Sequence, residues 1–389
     1  MADNESVLSV VLDIGSHTTR AGFAGDDAPR ALFPSVIGRP KTFAGMVVGH
    51  RDSYVGDEAQ AYRGNLKMTS PVKNGIVQNW DDYEKLLHHT FYNELRIAPE
   101  ERSVLFSVPV FNPTANEQKI SQIMFETFSV PACAGVLSPV LSLYASGRGT
   151  GVVVDIGEGM TQIVPLWESA IIDEAIIRVD MGGETMTNYM KKLLTERSPG
   201  FVDMPSARHW AVDKLKQSCA LVALDYDAEM QNYATSSSQH MEYQFEDGTS
   251  HRLSNERIRC GECLFQPKLV DMENMGLSKL VYKSILKSPL DTRKDFLGNI
   301  ILSGGTTLTP GIAERLSKDV TALVPPTQRV KVIVPPERKY MTWIGGSIVA
   351  SLSSFNKTWF TKEQYDECGP SHIHRWGCVA TTQFQPKGY

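Results

Sequence analysis

The chain has few cysteines, no long apolar run and no excess of basic charge, and each shortage removes a class of function. Six cysteines are spread over 389 residues, which argues against a disulfide scaffold and for a reducing compartment. Cys260 and Cys263 have the spacing of half a zinc site, yet no second Cys/His pair lies at metal spacing nearby. Free thiols beside a packed segment are therefore expected. No apolar stretch approaches the ~20 residues that span a bilayer. The start, "MADNESVLSVVLDIG", carries acids where a secretory leader carries bases, so an intracellular protein is expected. A net charge of −5 gives no pull towards nucleic acid or an anionic membrane, and neither is expected as a direct partner. Linkers, low-complexity blocks and long charge runs are also missing.

What is present is alternation. Strand-like runs (residues 7–12, 104–108, 151–154, 162–166, 300–302 and 330–334) interleave with helix-like ones (81–95, 115–127, 139–145, 185–195, 207–221 and 311–322). That pattern predicts an α/β class, and the length predicts two lobes rather than one core. Asn79 is placed to cap the first of these helices. The glycines of Gly147-Arg148-Gly149-Thr150-Gly151 mark a candidate hinge before the strand at 151.

One stretch nearly repeats. "VVLDIGSHTTR" from Val10 returns as "VVVDIGEGMTQ" from Val152, 142 positions later. Each copy reads as a strand, an aspartate, a glycine turn and a second strand, which is a β-hairpin. Such a glycine lets backbone N–H groups approach phosphate oxygens. Ser16 adds a hydroxyl donor, and Arg20 is a fixed cation within reach of a phosphate. Asp13 and Asp155 would repel phosphate, so their expected task is to hold Mg²⁺ through water. A tight hairpin with a solvated aspartate is the plain alternative for either copy alone. Two copies heading two lobes predict a clamp for a polyphosphate. A third turn, "LSGGTT" at Leu302–Thr307, follows a strand and precedes a helix. It suits a nucleotide's base or phosphate, or serves as an ordinary connecting loop.

Longer blocks go further. "AGFAGDDAPRALFPSVIGRP", "YVGDEAQAYRGNL", "HHTFYNELR", "QIMFETFSVPA", "VLSLYASGR", "ILSGGTTLTPGIAERL" and "PPERKYMTWIGGSIVASLSSF" resemble actin, over nearly the whole chain. The resemblance implies the actin-like ATPase fold shared with Hsp70 chaperones and sugar kinases: two similar α/β lobes around a nucleotide cleft, in four subdomains. Subdomain 1 would comprise residues 1–33, 71–145 and 341–389, and subdomain 2 residues 34–70. Subdomain 3 would comprise 146–181 and 273–340, and subdomain 4 residues 182–272. The resemblance also implies ATP or ADP as ligand, with Mg²⁺ or Ca²⁺ held through water by Asp13 and Asp155. The first phosphate loop would hold Asp13, Gly15, Ser16, His17 and Arg20, and the second Asp155, Gly157, Glu158 and Gly159. Gly183, Lys216 and Gln217 would line the ribose and adenine side with Gly304, Gly305, Thr306 and Lys339.

The family pattern is broken at informative places. His17-Thr18 replaces a glycine and an apolar residue, Arg20 a lysine, Glu158 an aspartate and Gln217 a glutamate. Asp213 falls where an arginine is usual. Ser138 stands at the glutamine that positions the attacking water, and Gln162 at the neighbouring histidine. A serine is too short to hold the same water, and losing such a group costs on the order of 10²–10³ in rate. Nucleotide binding is therefore expected to outlast hydrolysis. The resemblance extends to a subunit-inserting loop around Met46, Val47 and Val48 and to the plug-like "LFQPKLVDMENMGLSKL". Asn74 replaces a histidine, "LWESAIIDEA" departs from the usual segment, and "WGCVATTQFQPKGY" extends the usual end. Actins place that end beside the partner-binding cleft, so myosin, profilin or cofilin binding is not to be assumed, and Asp3 and Glu5 fall short of the dense acidic start typical for motor binding.

Two functions remain open. One is a divergent cytoskeletal, cytoplasmic protein that binds ATP, assembles with itself into filaments and hydrolyses slowly or not at all. The other is an actin-related subunit fixed in a larger complex with other family members, such as a nuclear chromatin remodeller, with nucleotide as structural glue. A sugar-kinase-like transferase lacks an identifiable general-base aspartate.

Overall fold

The computed structural model describes residues 8–41, 51–204, 208–236 and 240–373. Asp3, Glu5, Met46, Val47, Val48 and the extended C-terminal end lie outside the described residues, as does Ala207 at the start of one expected helix. The chain divides into two compact units, Met1–Gly149 with Glu168–Ile171 and Tyr340–Tyr389, and Thr150–Trp167 with Ile172–Lys339. The chain first passes from one to the other inside the glycine-rich stretch at 147–151.

In the first unit a six-stranded sheet runs Phe360–Thr361, Ala132–Leu137, Val104–Val108, Val10–Ile14, Thr18–Phe23, Ala31–Pro34. Ala132–Leu137, Val104–Val108 and Val10–Ile14 are mutually parallel. Their continuous apolar character follows from burial on both faces. Val10, Val11 and Leu12 are all buried, as are Val104, Leu105 and Phe106. Helix Met341–Ser351 packs against this sheet and helix Ser138–Ala145, and the Trp343 indole donates to the Val11 carbonyl at 3.0 Å.

The second unit repeats the plan. Gly151–Ile156 pairs antiparallel with Thr161–Trp167 and parallel with Ile300–Ser303, which pairs in turn with Val332–Ile333. Its core includes Val152, Val154, Met186, Met190, Leu215, Ile300 and Leu316.

The expected elements are present with shifted ends. The helix read at 81–95 is α-helical over Trp80–His88 and continues as a π-helix over His89–Leu95. That read at 115–127 splits likewise into Thr114–Gln122 and Ile123–Thr127. Hydrophobic periodicity does not separate the two helix types. The Asn79 side chain accepts from the Asp82 N–H, as a cap should. The helix read at 207–221 covers His209–Cys219, and the strand read at 330–334 shrinks to Val332–Ile333. Asn74 sits in the left-handed region at φ 49°, which asparagine tolerates better than most residues, and turns the hairpin Val72–Lys73/Ile76–Val77. Among the described residues no helix is long and apolar enough to cross a membrane. Cys260 and Cys263 are buried thiols whose Sγ atoms donate to the Met186 and Cys260 carbonyls, and burial pushes both upward in pKa.

Candidate functional site

The two echoed segments fold to the same hairpin. In the first, Asp13 pairs with Arg20 and Ile14 with Thr19 across the ladder; in the second, Asp155 pairs with Gln162 and Ile156 with Thr161. Each turn closes with the same bond, Gly15 N–H to the Thr18 carbonyl and Gly157 N–H to the Met160 carbonyl, both at 3.0 Å. The threonine after each turn is buried and held, Thr19 by the Ser35 hydroxyl at 2.9 Å and Thr161 by the Met181 carbonyl at 2.6 Å. Each aspartate therefore ends a rigid, buried strand beside a glycine turn.

What meets the aspartate differs between the copies. Asp13 receives the Arg20 guanidinium on Oδ2 at 2.5 Å and the Ser107 hydroxyl on Oδ1 at 2.6 Å. Arg20 is thus an ion-pair partner of Asp13, with its Nε buried and unpartnered. Asp155 receives the neutral Gln162 amide on Oδ2 at 3.1 Å. Ser16 takes the Gly75 N–H on its hydroxyl at 3.3 Å, and its carbonyl accepts from Ser70 at 3.0 Å. His17 is exposed at the tip of the turn. Ser138 is buried, and its hydroxyl donates to the Val108 carbonyl at 3.0 Å.

In the second unit most of the anticipated residues converge. The Gly183 and Glu184 N–H groups donate to the Gly157 and Glu158 carbonyls at 3.0 and 2.8 Å, and the Thr306 hydroxyl donates to the Gly157 carbonyl at 2.8 Å. A Cβ on Gly183 would overlap Glu158 Oε2 and approach Thr306 Oγ1 to 2.9 Å. Gly304, at φ 91°, leaves no room either: a Cβ there would run into the Ile156 carbonyl and lie 2.7 Å from Asp155 Oδ1. Its N–H is taken by the Arg338 carbonyl at 2.9 Å, and the added Cβ of Gly305 would meet Lys339 at 3.9 Å. Gly159 is buried in the turn.

Lys216 lies beneath this cradle. Its Nζ donates to Asp213 at 2.7 Å, Thr187 at 2.8 Å and the Gly183 carbonyl at 3.0 Å, with Glu158 Oε2 at 3.8 Å. Burial alone pushes its pKa down, but Glu158 and Asp213 outweigh burial and hold it above the ordinary value. The Gln217 amide donates to Asp213 Oδ2 at 2.7 Å. Glu158 Oε1 is buried with no hydrogen-bond partner.

Two participants escaped sequence reading. Ser107 follows Phe106, which pairs with Leu12, just as Ser303 pairs with Asp155. A lone serine in or at the end of an apolar run beside an aspartate strand is the signal in both. Thr187 carries no such signal, because it meets Lys216 only through the packing of helix Gly183–Arg197 on helix His209–Cys219.

Within the second unit, a carboxylate such as Asp155 suits a hard cation held through water, and it accepts from the Gln162 amide; within the first unit Asp13 is matched by the Arg20 guanidinium. The glycine cradle and the orphaned Glu158 oxygen suit an organic ligand with hydroxyl donors. A family model described as Actin matches residues 4–377. The mixed α/β architecture fits the actin-like ATPase fold that the resemblance implied.

Proposed function

The chain belongs to the actin family, and on that premise we propose that it binds ATP or ADP, assembles into filaments and hydrolyses ATP slowly or not at all. The observation that carries nucleotide binding is the cradle of the second unit, where Gly183 and Gly304 let the backbone pack directly against Glu158 and Asp155. In the second unit, the turn that follows Gly157 would face phosphate oxygens with those backbone N–H groups that the turn itself does not use. A bound Mg²⁺ would neutralise phosphate charge. Asp155 would hold it through water.

Hydrolysis requires a group that aligns the attacking water. Ser138 directs its hydroxyl to the Val108 carbonyl, and Gln162 directs its amide to Asp155. Both side chains at the anticipated water-positioning places are committed to the fold. A cytoskeletal location accompanies the filament reading.

The test is sedimentation of the full chain with Mg²⁺-ATP, with bound nucleotide and released phosphate measured together. Pelleting with retained ATP is expected. Prompt phosphate release would overturn slow hydrolysis. A soluble chain that keeps its nucleotide under every condition would replace the filament by a fixed-subunit role, and a chain that binds no nucleotide would overturn the whole reading.

A further inference from the structure

We propose that the outer face of helix Leu277–Lys287, with the turn that follows it, is a docking surface for an acidic helical segment of a partner protein. The inference is independent of nucleotide binding and lies wholly within the second unit. Residues 277–290 hold three lysines and no acid, in a chain of net charge −5. Leu277, Leu280, Val281 and Ile285 turn one face of the helix into the core. Lys279, Lys283 and Lys287 recur every four residues on the opposite face, all exposed, so they climb one line over ~12 Å. Leu286 shares that face and is 43% exposed. A solvated helix face ordinarily interleaves both signs of charge. Here, among the described residues, no carboxylate pairs with any of the three lysines. Lys287 donates instead to the Glu174 backbone carbonyl at 3.3 Å. The neighbouring acids Asp173, Glu174, Asp291 and Asp295 are therefore not ion-pair partners of the stripe. By contrast Lys192, Lys214 and Lys318 of the same unit reach Asp271, Glu246 and Asp225.

The turn after the helix adds an apolar anchor. Arg293 donates to the Leu286 and Ser288 carbonyls at 2.6 and 2.9 Å. The Ser288 hydroxyl donates to the Ser284 carbonyl at 3.1 Å, and the Thr292 hydroxyl to the Pro289 carbonyl at 2.9 Å. This bracing, with Pro289 fixing a further backbone angle, holds Leu290 at 76% exposure, the highest among the described large apolar side chains. An apolar side chain already fixed in place loses little freedom when a partner covers it.

Charge complementarity selects the occupant. A bilayer takes up a helix by its apolar face, and the apolar face of this one is used by the core. A long polyanion such as nucleic acid meets the negative field of the whole chain, and the stripe offers lysine point charges without an arginine fork. A short acidic helix fits: carboxylates at four-residue spacing repeat every ~6 Å, as the lysines do. Apolar residues on its flank would cover Leu286 and Leu290.

The experiment measures binding of the full chain to a fluorescent synthetic helical peptide with glutamates at four-residue spacing beside a leucine stripe. A peptide of the same composition with its glutamates dispersed, a single-stranded oligonucleotide and phosphatidylserine vesicles are the comparisons. The patterned peptide is expected to bind at least ~10-fold tighter than the dispersed one, and more weakly as salt rises. The combined Lys279→Glu, Lys283→Glu and Lys287→Glu variant should weaken it ~30-fold or more. The combined Lys192→Glu, Lys214→Glu and Lys318→Glu variant carries the same net charge and should stay within ~3-fold of wild type. Leu290→Ser should weaken binding ~10-fold and leave the salt dependence unchanged. All of these side chains are exposed, and thermal midpoints confirm that each variant folds. No binding of the patterned peptide, equal binding of the two peptides, or equal weakening by the two triple variants would overturn the proposal. Tighter binding of the oligonucleotide or the vesicles than of the peptide would overturn the choice of occupant. Self-association of the chain that Leu290→Ser abolishes would assign the face to a second copy and overturn it likewise.

Discussion

The Arg20 guanidinium donates to the Asp13 carboxylate at 2.5 Å across the first hairpin, at the register position where Gln162 faces Asp155 in the second. One copy of the echo thus carries an ion pair at the position where the other carries a carboxylate–amide contact. Asp13 is 8% exposed, so removing the cation strands a buried carboxylate with only Ser107 to satisfy it. Arg20→Gln should lower stability by about 2–4 kcal/mol, whereas Asp13→Asn with Arg20→Gln should recover much of that loss. Urea unfolding of the two single variants and the double variant measures the coupling. Additive losses would show that the pair is no more than a surface contact.

Gly304 gives a sharper geometric test. At φ 91°, with the Ile156 carbonyl and Asp155 Oδ1 against the place of its missing Cβ, alanine forces either the backbone or the Asp155 strand to move. Gly304→Ala should cost about 2–3 kcal/mol of stability and lower nucleotide affinity at least ~10-fold. Gly64, which has nothing within 4 Å of an added Cβ, supplies the comparison. Gly64→Ala should stay within about 0.5 kcal/mol of the parent. Thermal midpoints and equilibrium nucleotide binding on both variants check this.

These two tests fall on features the sequence exposes well. The hairpins were legible because valine-rich runs ending in Asp-x-Gly carry the strand, its end and the turn in a few consecutive residues. The Lys216–Asp213–Thr187 cluster was not, because it forms only where two helices pack, and no local pattern records which of their faces meet. Helix Met341–Ser351 was also missed. Gly345 and Gly346 lower its helix propensity, and their reason is tertiary: a Cβ on Gly345 would overlap the Leu141 carbonyl of the neighbouring helix. Gln162 falls at a catalytic position of the family pattern, and only the ladder register shows that it bonds to Asp155.

Acid lability has an identifiable contributor in the first unit. The Tyr365 hydroxyl donates to Glu126 Oε1 at 2.6 Å and Gln122 donates to Oε2 at 2.8 Å. The Tyr365 bond, followed by that from Gln122, holds the Glu126 pKa below its ordinary value of 4.5. A carboxylate with a depressed folded pKa contributes stability above its unfolded pKa and loses it as pH falls through the folded one. Wild type should therefore exceed Tyr365→Phe in stability near neutral pH, and the gap should narrow below pH 4.5. Urea midpoints of the two proteins between pH 7 and about pH 3 test the sign. A gap that widens on acidification would remove Glu126 from the account.

The last prediction concerns turnover. Ser138 opens helix Ser138–Ala145, immediately before Pro139, and its hydroxyl is bound to the Val108 carbonyl at 3.0 Å. Glutamine at this position would carry an amide two carbons further out, past the carbonyl that holds the serine. With a water-positioning group restored, phosphate release by Ser138→Gln should rise at least ~10-fold over wild type, a fraction of the 10²–10³ such groups contribute. The carbonyl left without its donor should cost about 1 kcal/mol in both Ser138→Ala and Ser138→Gln, so stability does not separate the two. Turnover does. Single-turnover phosphate release, measured with ATP already bound, isolates chemistry from exchange. An unchanged rate in Ser138→Gln, with nucleotide still bound, would show that the block lies elsewhere, and Gln162→His would then be the position to restore.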